Sequence, residues 1–240
     1  MMDAPGFEQL LEVQERDSAL DQLAYERETL PERAVVASAE ARLADLGARG
    51  AVLDNRRQEL ATNEQRLEEE IASVVARIQQ LERRMYGGEV SASRELSAMD
   101  EEVRSLGRRR SSLEDREIEL MEEREPLDRE LAALATEQSK VDQERERANA
   151  ALAAAEAVID EKAARELEAR EAAAAGLPSA LLAEYERLRK RLGGVGAARF
   201  VNGSCTGCHL TLPASELDRI RRAPPDALLT CEQCGRILVR

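Results

Sequence analysis

The sequence predicts a mainly α fold, a long antiparallel coiled-coil hairpin with a small C-terminal β zinc ribbon. Three observations carry this. Apolar residues recur every seven positions along two extended stretches, a Gly-Gly turn separates the stretches, and all four cysteines fall in two CxxC pairs between residues 205 and 234. Composition agrees: charged residues make up 35% of the 240 positions, and only 2 Phe, 3 Tyr and no Trp are available to fill a conventional core.

The first element expected is a helix over residues 4 to 29, ended by Leu30-Pro31, because proline lacks a backbone donor and restrains the residue before it. The first heptad series then runs Leu46, Leu53, Leu60, Leu67, Val74 and Leu81, with Ile71, Ile78 and Met85 in the second seam position. The second series runs Met99, Leu106, Leu113, Leu120, Leu127, Leu134, Val141, Ala148 and Ala155, joined by Leu96, Val103, Leu131, Leu152 and Ile159. Two stripes meeting at the short turn of residues 86 to 93 bury each other only if their helices run antiparallel. Residues 94 to 174 would give an arm of roughly 120 Å at about 1.5 Å per residue. Pro126 lies inside that arm, where the unbroken heptad phase predicts a kink and not a stop.

Seam positions also carry Arg57, Glu64, Arg110, Glu117 and Arg124. Polar groups there fix register at a cost in stability, the reading preferred to a notch for a partner. The Ala-rich stretch of residues 148 to 175 leaves a narrow seam with room for the first helix. Gly176-Leu177-Pro178 closes the arm, Ser179 to Leu192 forms one more helix, and Gly193-Gly194-Val195-Gly196 leads onward. The domains expected are a helical hairpin over 1–192 and a C4 ribbon over 197–240.

Cys205, Cys208, Cys231 and Cys234 are the candidate metal ligands. A two-residue spacing lets paired thiolates reach adjacent corners of one tetrahedron, and 22 residues separate the pairs, slightly more than usual. Gly207 and Gly235 are expected to let the backbone curl around the sulfurs. Short strands are expected at 199–201, 210–212, 228–230 and 237–239, with a short helix between Leu212 and Arg222. Four thiolates close the shell around one structural zinc ion, so catalytic zinc is disfavoured. His209, the single histidine, is either a substitute ligand or a surface side chain. No triad, phosphate-binding glycine loop or second histidine points to an enzyme, and no small-molecule substrate is implied.

The net charge of -13 is uneven. From Tyr185 onward ten basic residues outnumber five acidic ones, +5, which leaves -18 for residues 1 to 184. The basic set Arg189, Lys190, Arg191, Arg219, Arg221 and Arg222 is the candidate nucleic-acid contact, against a plain reading as helix-dipole complements. At the turn, Tyr86 and Val90 interrupt charged sequence. Either Tyr86 folds onto Met85, Leu96 and Met99 to cap the seam, or Tyr86 and Val90 dock a protein partner. No secretory leader or apolar run of membrane-spanning length is present, so a cytoplasmic location is expected, with no membrane partner.

With these residues in place, the chain resembles the bacterial family of C4-type zinc-ribbon proteins with a long coiled-coil hairpin. The likeness rests on the first helix ending in Leu-Pro, the turn MYGGEVSASREL, the CTGC knuckle followed by His209, and CEQCGRIL. It implies the hairpin-plus-ribbon fold, the four zinc ligands and no enzymatic activity. Some members of that family are flagellar-biogenesis adaptors that bind an alternative sigma factor or a messenger RNA. The function expected is therefore an adaptor or scaffold docking protein, and as a candidate nucleic acid, through its coiled coil and basic ribbon. The alternative is a transcription regulator that probes RNA polymerase with its coiled-coil turn.

Overall fold

The computed structural model describes residues 4–88 and 91–240. Among the described residues the elements follow in order: α1 (Ala4–Glu28), α2 (Pro31–Tyr86), α3 (Ser93–Ala174), α4 (Ser179–Arg191), β1 (Ala197–Val201), β2 (Ser204–Cys205), α5 (Ala214–Arg222), β3 (Leu229–Thr230) and β4 (Ile237–Val239). The chain divides into two compact units, one of residues 35–147 and one combining the segment through Ala34 with 148–240.

In the unit of residues 35–147, α2 and α3 run antiparallel as the heptads require. Ala39 and Leu46 pack with Leu134 and Val141, whereas Leu67 and Val74 pack with Leu113. As numbers rise along α2 the partners fall along α3: Arg42 meets Glu144 at 2.6 Å, Arg56 meets Glu123 at 3.3 Å, and Arg77 meets Glu102 at 2.8 Å. These flanking pairs are exposed and add little stability; the buried stripe between them holds the helices together. Glu64 is the buried charge in the seam, and Arg124 of α3 reaches across to bind it. That contact supports the register-fixing reading of the polar seam. α3 continues unbroken through Pro126, with seam residues Leu120, Leu127 and Leu134 all at least half-buried on either side. At the end of α2 the Gly87 N–H donates to the Arg83 carbonyl (2.8 Å), and Gly88 takes φ 78°, the left-handed cap that glycine accepts without strain.

The other unit brings the ribbon together with helices. A single core joins Phe7, Leu10, Leu11 and Val13 of α1 to Leu181, Tyr185 and Leu188 of α4, and to Ala197, Ile237 and Val239 of β1 and β4. The ribbon expected at 197–240 as a separate domain therefore shares a core with the first and fourth helices. The sheet order is β2-β1-β4-β3, with β1 and β4 parallel and the outer pairs antiparallel. Alternation does the rest: Ala197, Ile237 and Val239 face α1, while Ala198 and Leu238 face the opposite way, toward the cysteines, Leu212 and Ile220. The α1 helix also lies along the Ala-rich part of α3, through Arg16 to Glu166 (3.1 Å) and Arg27 to Asp160 (3.1 Å).

Candidate metal centre

The first knuckle grows out of a two-residue hairpin. Val201 pairs with Ser204, so Asn202 and Gly203 form the loop, with φ 51° and 82°. Positive φ at both positions matches the twist of the flanking strands. After Cys205 the chain curls until the His209 N–H donates to the Cys205 carbonyl at 2.8 Å. The second knuckle repeats this closure: the Gly235 N–H donates to the Cys231 carbonyl at 2.7 Å. His209 (φ 58°) thus stands where the second knuckle has Gly235 (φ 73°). Its side chain is exposed, in agreement with the surface reading. The strand expected at 210–212 is reduced to one bridge between Ser204 and Thr211. Gly207 turns its backbone N–H toward the Cys205 sulfur, as expected, but its residue type is set by packing. Its φ is not positive; a Cβ there would stand 2.5 Å from Arg236 Cδ and 2.9 Å from Ala198 Cβ, so close packing requires the glycine.

The four Sγ atoms lie within 4.8 Å of one another. Cys205 and Cys234 approach to 3.9 Å, as do Cys208 and Cys231. A tetrahedron with zinc–sulfur bonds of about 2.3 Å has edges of roughly 3.8 Å, so the four thiols stand close enough together to share one ion. The same separation is far beyond a disulfide bond. The cluster fits one structural zinc ion. Burial pushes Cys205 above its ordinary thiol range and Cys231 up to about 12. Cys234 is also partly desolvated, but the backbone N–H and side chain of Arg236 outweigh this and bring it down to about 7.

Residues around the cluster sort themselves by partner. Glu216 of α5 is buried and accepts the Glu232 N–H (3.0 Å). Arg219 contacts Glu216 (3.6 Å) and Glu232 (3.4 Å), and donates to the Thr230 carbonyl (3.3 Å). Arg189 does not sit in an open basic patch. It is held by Asp21 (2.7 Å) and the Asp17 carbonyl (3.2 Å), because its position on α4 faces α1. Arg191 lies against the second knuckle, one guanidinium nitrogen 3.7 Å from where a Gly235 Cβ would stand. Lys190, Arg191 and Arg221 are exposed without ion-pair partners among the described residues, and Arg222 is 3.8 Å from Asp218. The basic set is therefore split: Lys190, Arg191 and Arg221 have no carboxylate partner among the described residues, Arg222 has one but its side chain is 84% exposed, and Arg189 and Arg219 are held by carboxylates.

Sequence reading passed over the residues that tie the glycine-rich linker to α1. Gln14 Oε1 accepts the Gly196 N–H (2.7 Å), and its amide donates to the Gly194 carbonyl (3.0 Å). Three residues on, Asp17 accepts from the Tyr185 hydroxyl (2.7 Å) and from Arg170 (2.8 Å). At the end of α2, Tyr86 is 83% exposed, so the seam-capping reading is not what the structure shows. Val90 lies outside the described residues.

Residues 13–193 match the family of CT398-like coiled coil hairpin domains, and residues 204–238 match the C4-type zinc ribbon domain. Two relatives in Mycobacterium tuberculosis, the uncharacterized proteins MT2288 and Rv2229c, are each 31% identical over 96% of this chain and 94% of their own. A solved structure from Mycobacterium smegmatis superposes with a TM-score of 0.88 at 26% identity, covering 99% of this chain and 98% of its own. CT398 from Chlamydia trachomatis superposes with a TM-score of 0.73 at 21% identity, covering 97% and 96%, and this likeness speaks for the fold alone. No enzymatic family is among these matches. No helix among the described residues is long and apolar enough to cross a membrane.

Proposed function

The chain belongs to the CT398-like coiled-coil hairpin family, and on that premise we propose that it works as a non-enzymatic, zinc-stabilised cytoplasmic adaptor that docks a protein partner through the turn of its hairpin. Four thiolates fill the tetrahedral shell, which leaves no coordination position for water or substrate. The observation that carries the docking role is Tyr86. A tyrosine 83% exposed beside a rigid helix end offers a large amphipathic contact with few rotamers to freeze. The test replaces Tyr86 with a photo-crosslinking aromatic residue in the full chain and irradiates native cells, with Val52 (68% exposed) as the control position. A discrete adduct from position 86 alone is expected, together with loss of the same partner from a pull-down with Tyr86→Ser. Identical products from both positions, or none, would overturn the proposal. An adduct with RNA polymerase or a sigma factor would make the transcription machinery the partner.

A second reading, nucleic-acid binding, is supported by Lys190, Arg191, Arg221 and Arg222, which stay exposed in the basic part of the chain. Such binding is expected to be weak and to fall steeply with salt, since few phosphates can be met at once. Changing the four residues to Ala should abolish it. Binding that survived unchanged would rule out this surface.

A further inference from the structure

The interval between the two cysteine pairs is longer than a ribbon needs, and the extra residues include α5. Two side chains one turn apart on this helix grip the second knuckle. Glu216 accepts the N–H of Glu232 at 3.0 Å, and Arg219 donates to the carbonyl of Thr230 at 3.3 Å. Thr230 and Glu232 are the immediate neighbours of Cys231, so the peptide groups on either side of one ligand are held by the same helix. Ile220, 1% exposed, anchors the helix in the core that contains Cys205 and Cys231.

Glu216 is an expensive residue at this place. Its side chain has no exposed surface, and Oε2 finds no hydrogen-bond partner among the described residues. An apolar residue of similar size would pack there without the desolvation cost. Near the first turn of α5 the carboxylate could serve its own helix, yet it is turned toward an amide 16 residues further along. We infer that Glu216 and Arg219 are positioning residues for the metal centre: α5 is a clamp that fixes Cys231, and the clamp sets how fast zinc is released.

The experiment uses full-length, zinc-loaded protein and two measurements, the rate of zinc transfer to a chromophoric chelator and the ligand-field bands of the cobalt-substituted protein. Glu216→Gln keeps the shape and an acceptor for the Glu232 N–H; Glu216→Leu keeps the volume and loses the acceptor. Glu216→Leu should release zinc about tenfold faster or more, with altered cobalt bands, as loss of outer-shell support does elsewhere. Glu216→Gln should stay close to the parent in both. Release from Glu216→Leu at the parent rate with unchanged bands would overturn the inference, and so would Glu216→Gln behaving like Glu216→Leu. If Glu216→Leu fails to fold, the half-exposed Arg219→Ala carries the test. Faster zinc release is then expected, and an unchanged rate overturns the inference.

Discussion

Tyr185→Phe removes a single oxygen from a buried polar contact. Tyr185 has no exposed surface, Asp17 is 4% exposed, and their hydrogen bond is 2.7 Å long. Hydrogen bonds to a charged acceptor contribute about 1.5–3 kcal/mol. Asp17 keeps its 2.8 Å bond from Arg170, but on the other oxygen Arg189 Nε is 3.6 Å away, too far to replace the phenol. The cost should therefore be about 2 kcal/mol, which for a chain of this size lowers the melting temperature by roughly 5 °C. Burial, then the neighbouring carboxylate, raises the phenol well above its ordinary range, so it stays a donor in the folded state. The raised value also fixes the sign: the contribution is complete below the unfolded phenol's titration near about 10 and would fade only above it. The loss should accordingly be equal at neutral and mildly alkaline pH. Calorimetry on the zinc-loaded protein measures it, and a double-mutant cycle with Asp17→Asn assigns it. A melting temperature within about 1 °C of the parent, or a coupling below about 0.5 kcal/mol, would refute the reasoning.

Arg124→Leu should cost about 2 kcal/mol because Glu64 is left buried and uncompensated, whereas Glu64→Leu combined with Arg124→Leu should be neutral or stabilising; urea midpoints decide, and equal losses would contradict the account. Zinc affinity should rise with pH, since burial holds the Cys205 and Cys231 thiols protonated near neutrality and the metal must displace those protons. Each proton displaced is worth about tenfold per pH unit, readable by chelator competition from pH 6 to 8. His209→Gly should keep one zinc per chain and gain about 1 kcal/mol by relieving left-handed backbone; loss of metal would instead make His209 a ligand.

The seam and the metal ligands were legible in the sequence because both depend on local spacing. Seven-residue recurrence marks what one helix buries against another, and CxxC marks two thiolates on one ion. Asn202-Gly203 is a signal for the hairpin that creates β2 which sequence reading passed over. Arg189 reads as solvent-facing charge because nothing nearby announces a partner; Asp21 stands 168 residues away in the chain. Gln14 and Asp17 look like ordinary polar positions on a helix for the same reason. Pairings that exist only after folding leave no periodicity behind.

The core that joins Phe7, Leu10 and Val13 to Ile237 and Val239 has a consequence for synthesis. When α1 leaves the ribosome, the strand that will cover its apolar face has not been made. At about 5–20 residues per second the wait is roughly 10–50 s. The α2–α3 seam, whose partners close progressively from the turn, needs no such delay. For that interval the first helix presents a bare hydrophobic stripe to the cell.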